Sequence, residues 1–94
     1  MVEAETFDSV FDALADTEAE AANMKARAEL LLSIRDRVSS WKVPQDQAAA
    51  RLGITRPRLN DLVRGKLTKF SLDALVNIAS AAHLAVEIRI MEAA

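Results

Sequence analysis

Between Lys42 and Lys69 the chain gathers side chains that suit nucleic acid. A guanidinium offers a donor fork that fits guanine O6 and N7, and a carboxamide fits adenine N6 and N7. Arg56, Arg58 and Asn60, at alternate positions, are therefore candidates for base readout. Asp61 could accept from cytosine or hold Arg58 or Arg64 by a helical ion pair; the ion pair is the favoured reading. Gln45, Thr55, Arg64, Lys66 and Lys69 suit phosphate oxygens, which position a protein on a duplex without reading its sequence. Seven Lys or Arg against two Asp give residues 42–69 a balance of +5, the electrostatic footprint of backbone binding. The plain alternative for Arg64 and the lysines is a solvated charged surface.

These residues need elements to hold them. A short helix is expected over Gln45–Leu52, with Ala48, Ala49 and Leu52 inward and Gly53 stopping it by taking the left-handed conformation without a Cβ penalty. Thr55 caps a second helix that puts Leu59, Leu62 and Val63 inward and ends at Gly65. On that helix Pro57, Asn60, Asp61 and Arg64 face outward and Arg58 lies on a flank. Two short helices joined through Gly53 and Ile54 match a helix-turn-helix layout. An ordinary αα corner would use the same glycine and the same apolar positions.

Upstream, Thr17 and Glu20 have the spacing of a capping box, so a helix should start at Glu18. Leu31, Ile34, Val38 and Trp41 carry its buried stripe to Val43-Pro44, while Arg27 interrupts the stripe near Met24 and Ala28. At 24 residues it would run about 36 Å, and its first turns are expected to project. Downstream, Ser71 caps a further helix reaching about Ala82, with Phe70 and Leu75 as a hydrophobic staple. The period then changes to two, with Leu84, Val86, Ile88 and Ile90 on one face and Glu87 and Arg89 on the other. That pattern predicts a β-strand. No second strand is legible, so its expected partner is the same strand of a second subunit, antiparallel across a two-fold axis. Leu84, Val86, Glu87, Ile88, Arg89 and Ile90 are then the dimer contacts.

Two glycines, two prolines and four aromatic residues in 94 argue for a mainly α protein. Eighteen of its 48 hydrophobic residues are alanine, so the core must be thin. The net charge of −2 is a cancellation: residues 1–24 carry seven acids and no base, residues 25–70 carry +7, and residues 71–94 carry −2. Phe7, Val10, Phe11 and Leu14 lie at helical spacing in the acidic block. They either dock on the chain's own domain or anchor a protein partner whose basic surface meets the acids. With no cysteine and one histidine, neither a disulfide framework nor the usual zinc site is available, and no cofactor is expected. His83 reads as a helix C-terminal residue without converging acid, base or nucleophile, so no enzyme is expected. An acidic N-terminus and no long apolar run point to the cytoplasm.

The stretch PQDQAAARLGITRPRLNDLVRGKLTKFSLDALVNIA, preceded by EAEAANMKARAELLLSIRDRV, resembles the Cro/repressor (XRE) superfamily and, within it, small HigA-like antitoxins and phage-associated regulators. The resemblance implies a lambda-repressor-like domain of four to five helices. It also implies an antitoxin that neutralises a RelE/ParE-like toxin, typically a ribosome-dependent mRNA endonuclease, and represses its own operon on double-stranded DNA. Pro44 stands where the family usually has a Thr or Ser cap, while Gln45 matches the family's phosphate-contacting position. The expected organisation is an acidic toxin-binding arm over 1–24, a DNA-binding domain over 25–82 and a dimerisation strand over 83–94. A free-standing phage-type repressor and a dimeric interaction module without DNA binding are the alternatives.

Overall fold

The computed structural model describes residues 17–93. The apolar positions of the acidic arm, Phe7, Val10, Phe11 and Leu14, lie outside that range. Helix α1 (Glu18–Trp41) begins where Thr17 Oγ1 accepts the Glu20 amide at 3.0 Å, and ends with Lys42 in the left-handed region. Residues 17–20 are exposed and burial begins in earnest at Met24. The buried stripe is continuous, because Met24, Ala28, Leu31 and Ile34 are all core residues and α1 runs unbroken across the charge boundary at 24/25. Arg27 does not interrupt it. Its guanidinium lies beside the stripe and donates from Nη1 to the Leu67 and Phe70 carbonyls at 3.3 and 3.1 Å.

Helices α2 (Gln45–Leu52), α3 (Arg56–Val63) and α4 (Leu72–Ala81) complete the mainly helical fold, with a short 3-10 turn at Leu67–Lys69 between α3 and α4. α1 packs chiefly on α4, and α2 on α3. Phe70, Leu31, Ile34, Leu59, Leu62 and Leu75 are the largest fully buried side chains, and together they join α1, α3 and α4 in one core. Ser71 Oγ accepts the Ala74 amide at 3.1 Å, and the staple residues Phe70 and Leu75 are both buried. No helix among the described residues is long and apolar enough to cross a membrane.

α2, α3 and α4 end in the same way. In each, one residue turns left-handed, its amide bonds the carbonyl three residues back, and the next amide bonds five residues back. The pairs are Gly53 to Ala50 with Ile54 to Ala49, Gly65 to Leu62 with Lys66 to Asp61, and His83 to Ser80 with Leu84 to Ala79. This double bond satisfies helix carbonyls that would otherwise lack partners. His83 is therefore a helix terminator, exposed and at φ 62°.

The C-terminal β-strand is not formed: among the described residues there is no strand. Residues 84–93 leave α4 without regular structure. A strand is defined by its ladder partner, and the described residues of a single copy present none. The alternation survives only in its first half, where Leu84 and Val86 lie half-buried against the core and Ala85 and Glu87 are exposed.

Candidate nucleic-acid interface

The α2–Gly53–α3 unit forms as its local signals require. Gly53, at φ 69°, turns the chain out of α2, and Thr55 Oγ1 accepts the Arg58 amide at 3.2 Å to open α3. Pro57 sits in the first turn of α3, where a missing amide costs no helical bond. Pro44 provides no side-chain cap for α2. Ala48, Ala49 and Leu52 of α2 and Leu59 and Leu62 of α3 fill the space between the helices and the core. The opposite side of α3 carries Arg56, Pro57 and Arg64 exposed, with Asn60 and Asp61 half-buried.

α1 fixes the far end of this unit. Arg35 Nη1 donates to the carbonyl of Val63, the last residue of α3, at 3.2 Å, and Arg27 holds both sides of the 3-10 turn. Guanidinium groups suit this task, since they bring several donors in a rigid plane to backbone carbonyls. The lone Arg inside an apolar stripe was the legible trace of this clamp. Nothing in its spacing named the carbonyls it serves.

The sequence-predicted readers are placed unequally. Arg56 projects from the start of α3 and pairs with Asp46 of α2 at 3.2 Å, both ends well exposed. Such a pair is weak in water and yields readily to a base or phosphate. Arg58 is held more firmly: its guanidinium lies 4.1 Å from the centre of the Phe70 ring and donates from Nη1 to the Lys69 carbonyl at 2.7 Å. To reach a base it would have to leave both. Asn60 stands one turn along α3 from Arg56.

Asp61 does form an ion pair, but with neither Arg58 nor Arg64. Its two carboxylate oxygens take Lys66 at 3.4 Å and Lys69 at 3.7 Å. The reason lies in the chain reversal at Gly65, which returns the segment 66–69 alongside α3; helical spacing alone does not reveal that fold-back. The phosphate candidates thus divide in two. Lys66 and Lys69 are tied to α3 through Asp61. Gln45, Thr55 and Arg64 lie at the start of α2, the start of α3 and the end of α3. Thr55 keeps its hydroxyl hydrogen for an outside acceptor, because the cap uses only its oxygen as acceptor. Two further features escaped the sequence: the 3-10 turn, and Arg51 stacked 5.0 Å from the centre of the Trp41 ring. Among the described residues no group of His, Cys, Asp or Glu could hold a metal ion.

A basic surface on two short helices joined by a left-handed glycine is shared by many chains, and sequence comparison narrows the choice. A family model described as a helix-turn-helix domain matches residues 13–91. The chain belongs to the helix-turn-helix domain family. No curated protein matches it. The match supports the Cro/repressor-like resemblance at the level of a helix-turn-helix regulator that binds DNA. It spans α1 through the extended segment, so the whole helical unit and not the α2–α3 pair alone is the family's domain.

Proposed function

We propose that this helix-turn-helix protein is the DNA-binding antitoxin of a toxin-antitoxin pair: a cytoplasmic, non-enzymatic homodimer that represses its own operon and neutralises a RelE/ParE-like toxin. The DNA half rests on one observation above all. α3 presents Arg56, Asn60 and Arg64 away from a core that α1 clamps from behind. Arg56 and Asn60 read base edges in the major groove. Arg58 holds the 3-10 turn in place, and Gln45, Thr55, Arg64, Lys66 and Lys69 grip phosphates. The toxin half draws on the resemblance to HigA-like antitoxins and on the seven acids of residues 1–24, a charge complement for an RNA-cleaving basic partner.

Co-expression tests the toxin half. The protein is expected to co-purify with the small basic product of an adjacent gene and to rescue growth from it. Removal of residues 1–16 abolishes rescue but spares binding to the DNA upstream of its own gene. Rescue by the truncated protein would refute the arm assignment, and rescue without binding to upstream DNA would refute the repressor half.

A further inference from the structure

The reversal after α3 gathers two lysines on one carboxylate. Asp61 Oδ1 lies 3.4 Å from Lys66 Nζ and Oδ2 lies 3.7 Å from Lys69 Nζ, with the aspartate side chain 21% exposed and the lysines 41% and 54%. The backbone beneath them is fixed as well. The Lys66 amide donates to the Asp61 carbonyl at 3.0 Å and the Lys69 amide to the Lys66 carbonyl at 3.1 Å. Arg58 holds the Lys69 carbonyl, and Arg27 holds those of Leu67 and Phe70. With its backbone anchored at so many points, the turn leaves the placement of the two ammonium groups to Asp61. The ion pair of Asp46 with Arg56 differs, since both of its ends are well exposed and such a pair fixes little.

Asp61 has two opposed effects on a phosphate backbone. It takes one unit of positive charge from the surface, which weakens attraction to any duplex. It also places both ammonium groups before DNA arrives, which spares the ordering of two long side chains. An ammonium has three N–H donors, so a lysine drawn to one carboxylate oxygen still has donors for a phosphate.

We propose that Asp61 is a positioning residue that sets specificity: it suppresses sequence-independent binding while keeping Lys66 and Lys69 in place for the one docked register. The proposal rests on the DNA-binding reading above and adds to it how wrong sequences are refused. A loosely docked duplex meets the surface through charge at a distance and orders no side chain, so it bears the lost charge in full. In the complex fixed by Arg56 and Asn60, each lysine must sit against one phosphate, and its prior placement offsets the lost charge. Discrimination is the difference between these two affinities, and Asp61 widens it from the unwanted side.

The test compares binding of the full-length protein to a labelled duplex from upstream of its gene and to a duplex of the same composition in shuffled order. Asp61→Asn keeps the shape and removes the charge. It is expected to bind the shuffled duplex roughly three- to tenfold more tightly at low salt, and to steepen the salt dependence on that duplex by up to about one. Affinity for the upstream duplex is expected to change by less than about twofold, because gained attraction and lost placement oppose each other. Asp61→Glu returns the charge to the same turn and is expected to restore most of the discrimination. Asp73, in the first turn of α4, is exposed and makes no ion pair among the described residues, so Asp73→Asn is expected to shift both duplexes by the same factor.

An equal change on the two duplexes for Asp61→Asn, in either direction, would overturn the proposal. So would a wild type that binds both duplexes alike, or a loss of preference at a single cytosine with shuffled affinity unmoved, which would make Asp61 a base reader. The two readings fail separately. A wild type that binds neither duplex would refute DNA binding itself, whereas a preference for the upstream duplex that survives Asp61→Asn intact would refute only the role of Asp61.

Discussion

The α2–α3 unit and the segment after α4 carry equally clear sequence patterns, yet the chain completes only one of them. Both follow a helix that ends in the same double hydrogen bond. After Gly53 the chain enters a helix whose bonds are internal and whose apolar face meets a core already formed by α1 and α4. After His83 it enters a run without regular structure, whose outer isoleucines find no neighbour among the described residues. Helix signals are local and are met locally. Alternation states a demand that the described residues of one copy do not satisfy.

The sharpest way to break this contrast is to cut an apolar side chain from each region. Leu59→Ala, at a fully buried position of α3, should cost about 2–5 kcal/mol, a large part of the stability of so small a domain, in denaturant unfolding. Ile90→Ala should leave a dilute monomer within about 0.5 kcal/mol of the wild type and weaken only association. Equal losses in the two would mean that the extended segment is part of the fold after all.

A second test separates holding from reading. Arg58→Lys keeps the charge but forfeits the flat contact with Phe70 and the directed bond to the Lys69 carbonyl, and should lower stability by about 1 kcal/mol. Asn60→Ala should leave the melting temperature within a degree or two and relax sequence preference at one base position. If Arg58→Lys instead kept full stability and altered base preference, Arg58 would return to the readers.

The smallest effects come from the two helix endings. A Cβ at Gly53 would meet nothing within 4 Å, so Gly53→Ala should cost about 1 kcal/mol through its left-handed backbone alone. His83→Gly should raise stability by up to about 1 kcal/mol for the opposite reason. Thermal unfolding of the two variants, moving in opposite directions, checks both.

The same division explains what could be seen in the sequence. The starts of α1, α3 and α4 were legible because Thr17, Thr55 and Ser71 act within three residues of themselves. The outward set Pro57, Asn60, Asp61 and Arg64 followed from the inward set Leu59, Leu62 and Val63. What the pattern could not supply was contact across the chain. Arg27 reaches carbonyls forty or more residues away, and Asp61 takes its lysines from beyond a reversal. The strand expectation failed on the same ground, since a period of two describes a face and not its partner.

The central claim, that the basic face of the α2–α3 unit and the turn after it binds DNA, is tested most directly by titrating salt against binding of a labelled duplex from upstream of the gene. Wild-type affinity should fall linearly in log–log form with rising salt, and Lys66→Ala and Lys69→Ala should each reduce the slope by about one. Absence of binding at low salt, or a slope unmoved by both substitutions, would contradict the account.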